Sequence, residues 1–407
     1  MDGLVVGIDL CDEYTQVNCP EKEEAWTIPT VICRNRNADE WYVGEEAYAH
    51  TLKGDGIIVD KLVNLALRDG TATLGDVRYE GKELLRLFLE QVVCFPKTEY
   101  KEKQIRQVVF AVKKMEPKLN ALLRECAVKM GVGEKRIQVV SHSEAYIYYI
   151  LNQKREIWNN TVGMFDLSEA GLRYYEMKVQ RGMKKTTVVA EYEELEEGFN
   201  LDILDTASGG RLADKILCSC AERLMARKSY SAVFLTGKGF LKWDWAAEFM
   251  KLLCSKRRVY MEQGLFAKGA ACKAVECLQE EDAFPFTCIC EGRLRTTVSM
   301  NVLHRGQENP VTVACAGDTW YGRVSVIDVI PDHQDRIDFI MTPLDSKKKK
   351  TVSIPLEGFP KRLDRTMKVQ IQVVFLDEKT MEVTLTDRGF GELFPATNIQ
   401  IRQEVML

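Results

Sequence analysis

The sequence predicts an α/β body built twice over, with two lobes around a cleft, followed by an all-β sandwich domain. Three observations carry this. Short apolar runs closing on Asp-Leu occur at Leu4-Val5-Val6-Gly7-Ile8-Asp9-Leu10 and at Val162-Gly163-Met164-Phe165-Asp166-Leu167, and a repeat of about 155 residues means domain duplication, not a solenoid. Behind each run, β-type segments pass into alternating strands and helices. Beyond Ala274 the helical period gives way to two-residue alternation.

The first run leads into Tyr14-Thr15-Gln16-Val17 and Thr27-Ile28-Pro29-Thr30-Val31-Ile32, further strands of an antiparallel meander. From Asp60 to Phe95 apolar residues recur at three and four, and the spacing predicts helix. Gln107–Val112 reads as a buried strand, Lys118–Met130 as an amphipathic helix stopped at Gly131, Arg136–Val140 as a strand and Ser143–Leu151 as a helix. Strand–helix–strand order implies parallel pairing through right-handed crossovers. After the turn at Asn159-Asn160 the second run is followed by alternation over Leu172–Val179 and a strand at Thr186–Ala190. Gly209-Gly210 opens a helix to Leu224, Ala232–Thr236 is a strand meeting Gly237-Lys238-Gly239, and Ala246–Leu253 is a helix. The body therefore covers 1–279, with lobes of about 1–157 and 158–279. An acidic break, Glu280-Glu281-Asp282, separates it from 286–407, where about eight alternating strands argue a sandwich, and the Lys347–Lys350 run reads as a solvated hairpin tip.

Composition narrows the partners. With 407 residues, 46% of them hydrophobic and 29% charged, the chain is globular. Its net charge of −4 offers no global field for nucleic acid or an anionic membrane, so neither is expected as a partner. The start lacks a basic segment followed by an apolar core, and no window nears the ~18 apolar residues of a spanning helix, which predicts a cytoplasmic protein. Thirteen scattered cysteines suit a reducing compartment. The pairs Cys218/Cys220 and Cys288/Cys290 have one intervening residue rather than the two usual in zinc knuckles, so neither zinc nor disulfides are expected.

A carboxylate closing the first strand of each half is the chemically pointed feature: in a duplicated α/β fold, Asp9 and Asp166 can bracket a metal-bound phosphate chain, although strand-end Asp-Leu also starts turns. Beyond these two, the order of Gly7-Ile8-Asp9-Leu10, Ile28-Pro29-Thr30-Val31 with Val43-Gly44-Glu45-Glu46-Ala47, Phe165-Asp166-Leu167, Leu235-Thr236-Gly237-Lys238-Gly239 and Phe266-Ala267-Lys268-Gly269-Ala270-Ala271 resembles the nucleotide-binding region of seventy-kilodalton heat-shock chaperones and the actin-like ATPase superfamily. The stretch Leu356–Pro360, Val369–Asp377 and Met381–Gly391 is similar to their β-sandwich substrate-binding domain, and the helical lid that follows it in that family is missing. The resemblance implies ATP with magnesium on Asp9 and Asp166, and nucleotide contacts from Thr15, Gly171, Gly209, Gly210, Gly237, Lys238 and Gly239. It also implies a catalytic lysine, for which Lys61 is nearest, a helix glutamate in a slot held here by His142 or Glu144, and a peptide or protein client on the sandwich. An actin-like assembly role is the alternative, with Trp243 and Trp245 as its candidate apolar contact.

The phosphate loops depart from that pattern. Where the family has Asp-Leu-Gly-Thr-Thr and Asp-Leu-Gly-Gly-Gly-Thr, this chain has Asp9-Leu10-Cys11-Asp12-Glu13-Tyr14-Thr15 and Asp166-Leu167-Ser168-Glu169-Ala170-Gly171. Glycines let backbone N–H groups approach phosphate without a Cβ in the way. A carboxylate ~4 Å from a phosphate oxygen costs about 1 kcal/mol in water and about 4 at an effective dielectric near 20. Asp12, Glu13 and Glu169 facing the cleft therefore predict a weak or lost ATPase in a client- or partner-binding protein.

Overall fold

The computed structural model describes residues 3–101, 104–169, 171–181, 186–279, 285–344 and 348–407. Two compact units emerge, Met1–Glu291 and Gly292–Leu407.

In the first unit the meander is β1 (Leu4–Leu10), β2 (Tyr14–Asn18) and β3 (Trp26–Pro29). Thr30 leaves the sheet by donating its N–H to Glu13, so the expected strand over Thr27–Ile32 splits and β4 (Ile32–Asn35) starts a separate three-stranded sheet. That sheet, completed by β5 (Trp41–Val43) and β6 (Gly56–Val59), packs with α1 (Glu45–Lys53). The expected helical stretch over 60–95 is also interrupted. Between α2 (Leu62–Leu67) and α3 (Gly81–Val92) stands a hairpin, β7 (Thr71–Leu74) and β8 (Val77–Glu80), whose register Leu74↔Val77 leaves Gly75-Asp76 as a two-residue turn. Gly75 has φ 66, a conformation glycine supplies freely. After α4 (Cys94–Tyr100) come β9 (Ile105–Val112), α5 (Pro117–Lys129), β10 (Ile137–Ser141) and α6 (His142–Leu151). β9 is apolar on both faces, as a strand flanked by parallel neighbours must be.

The second half repeats the plan with β11 (Thr161–Ser168), β12 (Gly171–Arg181), β13 (Thr186–Leu195), α7 (Ala207–Met225), β14 (Tyr230–Thr236), α8 (Ala247–Cys254), β15 (Arg258–Met261) and α9 (Leu265–Glu276). The two main sheets have the same order and sense. In one, β3-β2-β1 is antiparallel and β1-β9-β10 parallel; in the other, β13-β12-β11 is antiparallel and β11-β14-β15 parallel. Asp9 and Asp166 occupy equivalent ends of β1 and β11.

One extra strand corrects the domain boundary. β16 (Phe286–Ile289), which alternation assigned to the sandwich at 286–407, instead pairs parallel with β13, because burying Cys288 and Ile289 against the first unit's core outweighs continuing the later alternation. The acidic break at Glu280-Glu281-Asp282 lies outside the described residues.

Helix α9, at the end of the second half, lies directly on β1 and α6. A Cβ at Gly7 would stand 2.2 Å from Ala271 N, and one at Gly269 would stand 2.0 Å from Ala145 O. Only hydrogen at both positions permits this approach, which brings Phe266 to the end of β1. The core beneath is continuous across the halves, joining Val109, Val140 and Tyr146 to Met164, Tyr175 and Phe234.

The second unit has two four-stranded antiparallel sheets. One runs β18 (Gln307–Ala314), β17 (Thr296–His304), β20 (Arg336–Pro343) and β21 (Lys350–Pro355); the other runs β19 (Val324–Val329), β22 (Val369–Phe375), β23 (Thr380–Asp387) and β24 (Gln400–Met406). Val298, Met300, Phe339 and Met341 of the first share one core with Ile371, Val373, Val383 and Leu385 of the second. Of the lysine run, Lys348–Lys350 are exposed and lead into β21, while Lys347 lies outside the described residues. Among the described residues no helix is long and apolar enough to cross a membrane.

Candidate functional site: buried carboxylates at the ends of the paired sheets

The strands β1, β9 and β10 end level with one another, Leu10 opposite Val112 and Val112 opposite Ser141. Asp9 thus sits one residue from the end of its strand, across β9 from the start of α6. Ser141 caps that helix by accepting the Glu144 N–H at 3.2 Å, which makes His142 its first residue. The His142 ring stacks on Phe266 with centroids 3.8 Å apart and planes within 8°, so packing sets its plane. In this pose Nε2 meets Asp9 Oδ1 at 2.7 Å. Asp9 is 1% exposed and His142 4% exposed, so the pair is dry. Among the described residues the ring's Nδ1 has no hydrogen-bond partner.

Cys11, half-buried, lies beside them with Sγ 4.0 Å from Asp9 Oδ1. Burial first, then the carboxylates of Asp9, Glu13 and Asp166, push its thiol well above the ordinary range. One donor atom each from Asp9, Cys11 and His142 falls within 4.8 Å of the others. Among the described residues no disulfide joins the cysteines.

Asp166 is the counterpart on β11, registered with Arg173 and Thr236. Burial drives its carboxyl up to about 6, and the negative field of Asp9 adds to this; His142, Arg173 and Lys113 pull the other way. Arg173 is itself buried, pairs with Glu194 and donates to the Lys113 carbonyl at 3.4 Å. The offset to the burial of Asp166 is thus spread over several groups.

The structure places the other expected residues differently. Asp12 does not face the cleft: its carboxylate caps α2, accepting from Val63 N at 2.9 Å and Asn64 N at 3.2 Å and from the Asn64 side chain. Glu13 is exposed. Glu169 is exposed and forms an ion pair with Lys238. Of the three carboxylates expected to repel a phosphate, Asp12 is thus held by a helix N-terminus, Glu169 by a lysine, and Glu13 is exposed. Thr15 is fully buried, its hydroxyl 2.8 Å from that of Thr30, so it serves the meander rather than a ligand. Lys61 is exposed, in left-handed backbone with φ 51 before α2. In the glutamate slot it is His142, not Glu144, that reaches Asp9.

The glycines that the resemblance assigns to adenosine contacts are spent on packing. Gly237 has φ 94, and a Cβ there would stand 2.4 Å from Leu167 O and 2.7 Å from Asp166 Oδ1. Gly239 has the Leu167 side chain against it, Gly209 the Ile203 carbonyl, and Gly210 the Cβ of Trp245. Trp245 donates to the Lys242 carbonyl and lies near Phe240, whereas Trp243 is exposed. Gly171, with φ 112, opens β12 registered directly opposite Ser168, where the chaperones have a glycine loop. Cys11 was missed by sequence reasoning as a donor. The available signal was its place two residues after Asp9, which puts both side chains on one face of an extended chain.

Comparison with known proteins agrees with the division into units. No curated protein matches the chain. Residues 293–407 match a domain of unknown function, DUF8552, starting two residues after the first unit ends. Residues 13–291, well over half the chain and nearly the whole first unit, match the C-terminal part of a family of unknown function, DUF5716, and the chain belongs to that family.

Proposed function

We propose that this protein is a partner-binding protein built on a body of the actin-like ATPase kind, similar to seventy-kilodalton heat-shock chaperones, in which ATP turnover is weak or lost and the second unit grips an extended peptide. The duplicated sheet order, with an aspartate at each β1-type strand end, supports the kinship. Magnesium triphosphate suits the donor set poorly: Asp9 is committed to His142, and at the second strand end Ser168 is registered directly opposite Gly171. No chemical step through ATP is therefore assigned.

The edge strand β19 carries the binding reading. It pairs on one side with β22, and Val324 and Val326 turn outward, 56% and 55% exposed, with Val374 registered beside Val324. The edge (Val324–Val329) carries exposed valines, neither lysine nor proline, and one charge, Asp328, which is paired with Lys368, and strand addition is a standard mode of peptide capture. A labelled, extended apolar peptide is expected to bind the full chain in an anisotropy titration. The double variant Val324→Lys/Val326→Lys should weaken binding at least about tenfold while changing stability by roughly 0.5 kcal/mol or less, as for other surface positions. No binding by the unaltered chain, or equal binding by the variant, counts against the reading. An assembly role is the second reading, supported by Leu241 and Trp243, exposed at 62% and 46% between β14 and α8; concentration-dependent sedimentation would reveal it.

A further inference from the structure

We propose that Asp9, Cys11 and His142 form a binding site for a borderline-soft divalent cation, with zinc as the reference ion. The site does not depend on the peptide-binding reading and uses none of its residues.

Three chemically distinct donors converge from two distant parts of the chain: a carboxylate and a thiol from the end of β1 and the turn after it, and an imidazole from the first residue of α6. Oxygen, sulfur and nitrogen together are the ligand set of zinc. Magnesium and calcium take oxygen donors and have no use for the sulfur. The spacing is near what an ion needs. Donors about 2.0–2.3 Å from one tetrahedral zinc stand roughly 3.3–3.8 Å apart. The observed separations bracket that range, 2.7 Å for Asp9 to His142 and 4.0 Å for Cys11 to Asp9. Widening the first by about half an ångström and drawing Sγ inward is a side-chain adjustment.

The surroundings favour a cation. Asp9 and Asp166 place two carboxylates in a dry region. His142 is already aimed: its ring is clamped on Phe266 and Nε2 points at Asp9, with no hydrogen bond at Nδ1 from any described residue competing for its orientation. Cys11 is half-buried, which leaves an approach for the ion. On binding, zinc replaces the Cys11 thiol proton, which leaves to solvent, and takes Nε2 of a neutral His142 ring whose one proton then stands on Nδ1; no redox change occurs. Three protein ligands leave a fourth position open.

The test uses the full chain in a background where the exposed Cys94, Cys254 and Cys315 are serine, so that surface thiols do not contribute. Metal-free protein is titrated with zinc against a chromophoric chelator and, separately, with cobalt, whose thiolate charge-transfer band reports sulfur ligation. The expected result is one equivalent of zinc per chain and a thiolate band with cobalt. Cys11→Ser should lose the band and weaken zinc at least about tenfold, and His142→Gln should weaken zinc comparably. Cys11→Ser guards against a folding artefact, since Cys11 makes only a long contact; its circular dichroism should match the parent. Failure to take up zinc at micromolar concentrations, or the same stoichiometry and affinity in Cys11→Ser as in the parent, overturns the proposal.

Discussion

Substituting His142→Ala is expected to destabilise the first unit by about 3–5 kcal/mol, among the largest effects any single side chain here should produce. The reason is asymmetry. Asp9 and His142 are both nearly inaccessible, and their 2.7 Å contact is the direct partnership that compensates the Asp9 carboxylate for leaving water. Removing the imidazole strands a carboxylate in a dry core, and breaking a buried pair from one side has this order of cost. It also opens a cavity against Phe266. Replacing both members with apolar groups, Asp9→Val/His142→Leu, removes the uncompensated charge and should recover most of the loss, because such pairs contribute little relative to well-packed hydrophobes. The double variant should therefore be more stable than His142→Ala alone. Chemical denaturation with a probe in the first unit reads this, and a single-variant loss below about 1 kcal/mol would show that the pair is solvated or dispensable.

Asp166→Asn should do the opposite at neutral pH. Folding raises the Asp166 carboxyl from its ordinary 3.8 to about 6, chiefly by burial. Such a group contributes stability that is fully present below the unfolded value and is lost as pH rises through the folded one. Above pH ~6 the native state carries an ionised, buried carboxylate, a penalty on the order of 3 kcal/mol for a shift of about two units. The asparagine variant is spared that penalty. Its advantage over the parent should approach that size near pH 7.5, shrink between pH 6 and 4, and vanish below. A difference between the two proteins that stays constant from pH 4 to 7.5 would mean that Asp166 titrates normally and that its burial is relieved by a partner.

Much of the first unit's architecture was legible because the strongest signals in a chain are those that burial writes directly. The apolar runs at β1, β9, β10, β11 and β14 must be strands covered on both faces, and the Asp-Leu rhyme marks equivalent strands in the two halves. The hairpin β7–β8 was not found: the leucines of α2 and α3 flank it closely enough to simulate one helical period, although Gly75-Asp76 between alternating residues was a usable turn signal. β16 was misassigned because alternation looks the same whichever sheet a strand joins; only the tertiary pairing with β13 decides. For the candidate site, Asp9 and Asp166 could be selected from sequence, but the partners of the acids could not. Asp12 caps a helix 51 residues away and Glu169 pairs with a lysine 69 residues on. The expectation of no zinc weighed cysteine pairs close in sequence, whereas the donors that converge are contributed by residues 133 positions apart.

The central claim is that the carboxylate at the end of β1 is held by the protein's own histidine and not kept for a nucleotide. Calorimetric titration of the full chain with ATP and magnesium tests it most directly. The account predicts no saturable heat up to millimolar nucleotide, with Asp9→Asn indistinguishable from the parent. Saturable micromolar binding that Asp9→Asn abolishes would contradict it.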